Sequence, residues 1–178
     1  MGCALPYAIA AKFAFPDRPA FAFVGDGAMQ MGGNAELLTV AKYWKEWSDP
    51  RLIVLVLNNE DLNFVTWEMR TMEGDPKFEA SQDIPAFSYA DYADSIGLRG
   101  IKILTPEDVY PALNAAVVAN CPVVLDVHSD PNIPPLGPKV TTEQAKSFAS
   151  AMAQGDVDAP KSVAGSFGQI FRNLFTPR

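Results

Sequence analysis

Cysteine is nearly absent from this sequence. Cys3 and Cys121 are the only two, with no C-x-x-C spacing, which sets aside a disulfide framework and points to free thiols in a reducing compartment. Histidine is rarer still, with His128 the single example. No apolar run approaches the ~18 residues of a membrane span. The amino end lacks the basic stretch and cleavage pattern of a signal peptide, and Pro6 stands where a myristoylation motif has Ser or Thr. The expected location is therefore the cytoplasm. Basic residues are in deficit, 14 against 21 acidic ones, and the formal charge of −7 argues against nucleic acid and against a generally basic membrane-binding face. There is no P-loop and no Gly-x-Gly-x-x-Gly after a strand, so nothing supports a nucleotide site.

What is present is an ordinary globular chain. Its 178 residues, 48% hydrophobic and 20% charged, suit one domain, long enough to bury about 70% of its unfolded surface. Two apolar runs, Ala20-Phe21-Ala22-Phe23-Val24 and Leu52-Ile53-Val54-Leu55-Val56-Leu57, are continuous rather than alternating and are bounded by turn residues. That is the pattern of buried parallel strands. The first leads into Gly25-Asp26-Gly27 and the second into Asn58-Asn59, so each polar cluster sits just past the carboxyl end of a strand, the edge where open α/β sheets bind ligands.

The donors in these clusters narrow the ligand. Asp26 offers a carboxylate and Asn59 an amide oxygen, hard donors suited to Mg²⁺ or Ca²⁺. Gly25 and Gly27 let the backbone turn sharply and approach a bulky group, leaving main-chain N–H donors for phosphate oxygens. Mg²⁺ is commonly held by one or two protein oxygens plus substrate phosphates, so the two clusters read together as a diphosphate clamp. Taken singly, Gly-Asp-Gly is a common turn and Asn-Asn a common loop start. Their pairing behind two strands, with a helical pattern between, favours the clamp.

Around these runs the sequence predicts helices over 7–14, opened by Pro6, and over 34–47, capped by Asn34 and directing its amino end at the crevice. Further helices are predicted over 88–96, over 106–120 with a kink at Pro111, and over 141–154. Strands are predicted over 100–104 and 123–127. Trp44 and Trp47 read as packing or interface residues rather than chemistry. His128 follows the last strand at the same edge as the clusters, and a structural or solvent-facing role is preferred to a catalytic one. The polar connection 71–87, with Gly74, Pro76 and Pro85, is long for a compact domain and reads either as a lid or as a functionless irregular stretch.

Gly25-Asp26-Gly27, a gap of 30 residues and then Asn58-Asn59 resembles the thiamine-diphosphate signature of the pyruvate oxidase, acetolactate synthase and pyruvate decarboxylase group. The likeness extends through Met1-Gly2, Leu5-Pro6 and Pro16-Asp17-Arg18. It continues through Asn59-Glu60-Asp61-Leu62-Asn63-Phe64-Val65-Thr66-Trp67-Glu68-Met69-Arg70 to Pro134-Pro135 and Glu143-Gln144-Ala145-Lys146. The last three stretches look most like the pyruvate oxidase branch. The resemblance covers roughly residues 1–155 and implies a single α/β domain, a mostly parallel sheet flanked by helices, with 156–178 as an amphipathic tail.

The same resemblance implies a site. Asp26 and the side chain of Asn59 match two ligands of Mg²⁺, and Asp61 stands where the family supplies a main-chain carbonyl to that ion. Gly25, Gly27 and Ala28 match the segment holding the diphosphate. Met1 matches a methionine that supports the bent cofactor, and Asn63 and Phe64 lie in the stretch expected to touch it. Leu62 and Phe64 would flank its rings, while Val65, Trp67 and Met69 read more safely as core. Two departures stand out: the gap is a few residues longer than usual, through Gly32-Gly33 and 44–50, and Asp61 is glycine in some relatives.

The implied activity is conversion of a 2-oxo acid with thiamine diphosphate and Mg²⁺, with FAD entering only through a domain this sequence does not contain. The family's activating glutamate comes from an amino-terminal domain, usually of a neighbouring subunit, and no residue here matches it. The chain therefore reads as one part of a homo-oligomer or of a split enzyme, inactive by itself. A non-catalytic cofactor-binding fragment and a module for another diphosphate are the alternatives. Val163, Phe167, Ile170, Phe171 and Leu174 fall at helical spacing near Lys161, Arg172 and Arg178. Such a stripe is read as packing on its own protein, with membrane-surface association the lesser alternative.

Overall fold

A computed structural model describes residues 1–135 and 140–166. Along the chain the elements are α1 (Ala4–Ala14), β1 (Ala20–Gly25), α2 (Asp26–Ala28), α3 (Asn34–Tyr43), β2 (Leu52–Asn58), α4 (Asn63–Glu68), α5 (Glu79–Gln82), α6 (Tyr89–Ser95), β3 (Arg99–Ile103), α7 (Pro106–Val117), β4 (Val123–His128) and α8 (Thr142–Ala153). They gather into two compact units, Met1–Asn59 with Pro85–Ser129, and Glu60–Ile84 with Asp130–Arg178. No helix among the described residues is long and apolar enough to cross a membrane.

The first unit is the α/β body. Its four strands are all parallel, in the order β1-β2-β4-β3. One face carries a core from α1 (Leu5, Ile9), α3 (Leu37, Val40), α6 (Tyr89, Ala93) and the inward residues of β1 and β2. The other face packs Ala112 and Ala116 of α7 on Ile53, Ile103 and Leu125. β2 is buried along most of its length, as its continuous apolar run requires.

β1 departs from the expectation of a buried strand. Ala22 and Val24 are buried, whereas Phe21 and Phe23 on the opposite face are 49% and 68% exposed. The physical reason is position. β1 is an edge strand, and the apolar layer under α7 reaches Ile53 of β2 but includes no residue of β1.

Helix starts also differ from the pattern-based reading. α1 begins at Ala4 rather than at 7, because a proline within the first turn lacks only an N–H that has no intrahelical partner there. The helix predicted from 34 does start there, as α3, and is preceded by the short α2 at Asp26 and a widened π-type turn, Met29–Gly33, with a kink between them and α3. Asn34 is its first residue rather than its cap, and the helical end at the sheet edge is that of α2, at Asp26. The extra Gly32-Gly33 falls in the widened turn, where Gly32 leaves helical geometry (φ 174°, ψ −19°). The other insertion is taken up by a 3₁₀ turn, Trp44–Glu46, and the turn that follows it. Trp47 is buried, with the Phe13 ring perpendicular to its own at 6.0 Å between centroids, as a packing residue should be.

α6 and α7 lie close to where the pattern puts them, each with a cap that explains its start. The Ser88 hydroxyl accepts from the Asp91 N–H, and Thr105 and Asp108 form a capping box. α7 runs through Pro111 without interruption.

The second unit is helical. α4 runs on through a π-type turn, Met69–Glu73, and ends at Gly74 in left-handed conformation (φ 79°). The connection 71–87 is not irregular throughout, since it holds this turn and α5. α8 opens on a reciprocal Thr141–Gln144 capping box, and residues 159–166 are helical. Of the apolar stripe, Val163 is half-buried, and Phe167, Ile170, Phe171 and Leu174 lie outside the described residues.

Candidate cofactor-binding site

The first unit brings its two polar clusters together through register. β1 and β2 run parallel with Gly25 level with Leu57, so both strands deliver their next residues to one edge. Gly25 is extended (φ −88°, ψ 159°) and the helix starts at the following residue. Asp26 is 4% exposed. Its Oδ1 accepts the Gly27 N–H at 2.8 Å and its Oδ2 accepts the Asn59 N–H at 2.8 Å. One carboxylate thus joins the ends of two strands, at a helix amino terminus where the dipole favours negative charge.

The glycines act differently from the sharp turn anticipated for them. Gly25 has an ordinary extended backbone and Gly27 is helical, so neither position demands glycine for its conformation. A Cβ built on Gly25 meets nothing within 4 Å. What this glycine provides is open space beside Asp26, room that a bulky ligand can use.

Behind the pair stands a group of buried polar residues, Asn58, Asp126 and Tyr89, of which the sequence reading singled out only Asn58. Asn58 is buried, and its Nδ2 donates to Asp126 Oδ1 at 3.0 Å and to the Phe87 carbonyl at 3.1 Å. Its own carbonyl accepts the Ser129 N–H at 2.9 Å. Asp126, with no exposed surface, uses Oδ2 to accept the N–H groups of Tyr89 (3.0 Å) and Ala90 (3.4 Å) at the start of α6. The Tyr89 hydroxyl donates to the main-chain carbonyl of Asp26 at 3.2 Å. Burial, with lesser contributions from the Asp26 and Asp126 carboxylates, pushes this phenol up to about 12, so it stays a donor near neutrality. A carboxylate inside the apolar run of β4 was the available signal, because such a group is not buried without partners. His128 stands level with Asn58 and is exposed, with Nε2 3.8 Å from Asp126 Oδ1.

Met1 lies ahead of α1 and is largely exposed. Ala28 closes the first helical turn after Asp26 and is partly buried.

Asp61, Asn63 and Phe64 belong to the second unit. Asp61 is buried, with Oδ1 accepting from the Thr66 hydroxyl at 2.9 Å and paired with Lys77 Nζ at 3.2 Å, while Oδ2 accepts from Asn63 Nδ2 at 3.0 Å. Its carboxylate is thus engaged within its own unit. Asn63 Nδ2 also donates to the Pro131 carbonyl at 2.8 Å, and Phe64 is exposed. Lys77 further pairs with Asp83 at 2.6 Å. Burial works to lower the Lys77 ammonium, but the Asp83 and Asp61 carboxylates more than offset it and hold it above its ordinary value. Glu60, between the two clusters in sequence, is the only described non-glycine residue in left-handed conformation (φ 58°), and its carbonyl accepts the Ile84 N–H at 3.0 Å. Of the expected core residues Trp67 is buried, Met69 is half-buried and Val65 is exposed.

Among the described residues no three His, Cys, Asp or Glu side chains gather into a metal-binding group. A divalent ion at the strand ends would rely on one carboxylate, an amide and main-chain oxygens. That donor set suits Mg²⁺ when phosphate oxygens complete the shell.

Comparison with known proteins places this geometry in context. Residues 1–127 match the family described as thiamine pyrophosphate enzyme, C-terminal TPP binding domain. The chain is 35% identical over 175 residues to YdaP of Bacillus subtilis (strain 168), whose name describes it as thiamine pyrophosphate-containing; 98% of this chain and 29% of that protein are covered. It is 32% identical over 118 residues to the acetolactate synthase large subunit of Buchnera aphidicola subsp. Schlechtendalia chinensis, covering 66% of this chain and 19% of that one. Among solved structures, the thiamine diphosphate-dependent 4-hydroxybenzoylformate decarboxylase of Rhodococcus jostii RHA1 is similar with a TM-score of 0.62 and 25% identity, over 73% of this chain and 23% of that one. The chain spans less than a third of the length of each of these proteins.

Proposed function

The chain belongs to the thiamine pyrophosphate enzymes, as their C-terminal cofactor-binding domain, and from that premise we propose that it grips thiamine diphosphate through Mg²⁺ at the ends of β1 and β2. The whole enzyme in this reading converts a 2-oxo acid and is of the pyruvate oxidase or acetolactate synthase type. The observation that carries the reading is the Asp26 carboxylate bonded to the Asn59 N–H at 2.8 Å, which holds both clusters at one sheet edge.

The chain's residues divide the work by their chemistry. Asp26 and the Asn59 amide oxygen ligate Mg²⁺, with the main-chain carbonyl of Asp61, two residues on from Asn59, as the third ligand that family resemblance supplies. Gly27 and Ala28 present N–H groups of the first helical turn to phosphate oxygens. Gly27 donates to Asp26 Oδ1, an acceptor that a phosphate oxygen would have to replace. The space beside Gly25 admits the cofactor's bulk, and Met1, Asn63 and Phe64 are its further contacts by resemblance. Bound here, thiamine diphosphate supplies the carbanion and electron sink needed to cleave a bond next to a carbonyl.

No residue here matches the family's activating glutamate, so in this reading turnover requires a partner chain that carries it. FAD, where used, binds outside these residues. The test is a titration of the 178-residue chain with thiamine diphosphate and, separately, with an adenine nucleotide, each with and without Mg²⁺, read by tryptophan fluorescence. Metal-dependent binding of thiamine diphosphate alone is expected, and Asp26→Ala abolishes it. Equal affinity in the Ala variant, or preference for the nucleotide, would overturn the reading. Incubated with cofactor, Mg²⁺ and pyruvate, the chain by itself should release no carbon dioxide.

A further inference from the structure

Asp126 has no exposed surface and sits in a strand whose neighbours Val124 and Leu125 are also buried. Burying a carboxylate costs several kcal/mol unless its oxygens are well satisfied, and an apolar residue would have packed there without that demand. Two of its polar contacts, to Asn58 and Tyr89, lead toward the edge of the sheet. Through Oδ1 it fixes the Asn58 amide, which the Phe87 carbonyl holds from a second direction. Asn58 contributes the carbonyl of the peptide whose N–H belongs to Asn59, and Ser129 holds that carbonyl at 2.9 Å. The orientation of this one peptide decides whether the Asn59 N–H reaches Asp26 Oδ2. Through Oδ2 the same carboxylate holds the backbone of Tyr89, whose hydroxyl grips the Asp26 carbonyl from the other side. One buried acid therefore governs both halves of the candidate site without facing the ligand.

We propose that Asp126 and Tyr89 are positioning residues for the Asp26–Asn59 pair, setting the direction of the Asp26 carboxylate and of the Asn58–Asn59 peptide before any ligand arrives. The inference builds on the metal–diphosphate reading above and extends it to residues outside the ligand set. Groups that orient metal ligands typically change affinity 10- to 100-fold when removed, and preorganised ligands need this kind of support.

The experiment uses the full chain and three variants. Asp126→Asn removes an acceptor from one side of the carboxylate. Tyr89→Phe removes only the hydroxyl and keeps the ring and the backbone bond to Asp126. Tyr92→Phe is the matched control, because the Tyr92 hydroxyl donates to the Asn34 carbonyl at 3.0 Å from the same helix but leads to neither cluster. Without ligand, amide exchange by NMR should accelerate at Asn59 in Asp126→Asn and at Gly27 in Tyr89→Phe, with both amides unchanged in Tyr92→Phe. With saturating thiamine diphosphate, Mg²⁺ affinity should fall about tenfold in Asp126→Asn and about fivefold in Tyr89→Phe, and stay at the parent value in the control.

Parent-like exchange at Gly27 and Asn59 in both variants, or changes equal to those of the control, would overturn the proposal. If Asp126→Asn does not fold, Tyr89→Phe against Tyr92→Phe decides it. Should the parent chain bind no thiamine diphosphate while the exchange effects appear, the positioning role stands and the cofactor reading falls.

Discussion

The Arg70–Asp156 pair offers the sharpest test of what holds the helical unit together. Arg70 is 1% exposed and its Nε and Nη2 meet the two oxygens of Asp156, each at 2.8 Å, while Nη2 also reaches Asp158 at 3.2 Å. The guanidinium lies 5.2 Å from the Trp67 ring centroid. Arg70→Met keeps a long apolar stem against Trp67 but strands a buried carboxylate. Removing one partner of such a pair costs about 3–5 kcal/mol. Asp156 retains the N–H groups of Lys77 (2.8 Å) and Asp158 (3.0 Å), so the low end, about 3 kcal/mol, is expected. With a urea slope of roughly 2 kcal/mol/M, the midpoint for this unit falls by about 1.5 M.

The pH dependence gives a second reading of the same change. Burial works to raise the Asp156 carboxyl, but Arg70 and the two backbone donors hold it below its ordinary value of 3.8. In the parent that stabilisation is present above the unfolded value and is lost as pH falls through the folded one. In Arg70→Met the unpaired carboxyl shifts upward instead, so its penalty is full near neutrality and shrinks as pH falls toward the unfolded value. The gap between parent and variant should therefore narrow from about pH 7 to about pH 5. Urea unfolding followed by circular dichroism measures both. A loss below about 1 kcal/mol, or a gap that stays constant or widens on acidification, would refute the reasoning.

Two further changes probe the units separately. A Cβ on Gly100 of β3 would fall inside the contact distance of the Ala90 carbonyl in α6, and backbone cannot give way as a side chain does. Gly100→Ala should cost roughly 1–3 kcal/mol, read as a lower thermal midpoint of the sheet unit, and a parent-like melt would mean that α6 does not approach β3 this closely. In the helical unit, Thr141 Oγ1 accepts the Gln144 N–H at 3.2 Å while Gln144 Oε1 accepts the Thr141 N–H at 3.0 Å. Thr141→Ala should destabilise α8 by about 1 kcal/mol, seen as faster amide exchange over its first turn, with Thr141→Ser close to the parent.

The sheet was legible because its signal is local. β1, β2 and β4 are short apolar runs between turn residues, and their observed limits lie within about a residue of the pattern. Asp26 and Asn59 were legible because a strand end followed by a hard donor is a local statement too. The start of α3 at Asn34 was legible too, whereas the short helical turn α2 was hidden by Gly25-Asp26-Gly27, which reads as a turn. Tertiary burial of Met29 and Leu37 overrides glycine's poor helix propensity there. The half-open face of β1 depends on which strand neighbours it lacks, which no run of its own residues reveals. The 71–87 connection was hidden for another reason: Lys77, Gln82 and Asp83 look like solvated loop residues, yet the Lys77 side chain is only 9% exposed, Gln82 is buried, and both join a polar network with Asp61 and Thr66. Periodicity counts apolar positions and cannot see charges that satisfy one another.

Register explains why the site tolerates added length between its halves but not within its strands. Gly25 is level with Leu57 and Asn58 with His128, so the spacing of Asp26 from Asn59 is fixed across the sheet, not along the chain. The longer stretch between them is absorbed by the widened turn at Met29–Gly33 and by the turns after Tyr43, leaving strand pairing intact. A one-residue insertion inside β1 or β2 would be different in kind, because it turns every following side chain to the opposite face. In β2 it would replace the buried Asn58–Asp126 bond with an apolar side chain against a buried carboxylate, whereas another residue beside Gly32 has a helix turn in which to disappear. The geometry of the pair is thus a property of strand pairing and of the buried acid behind it, and the intervening segment is free to vary in length without moving either residue.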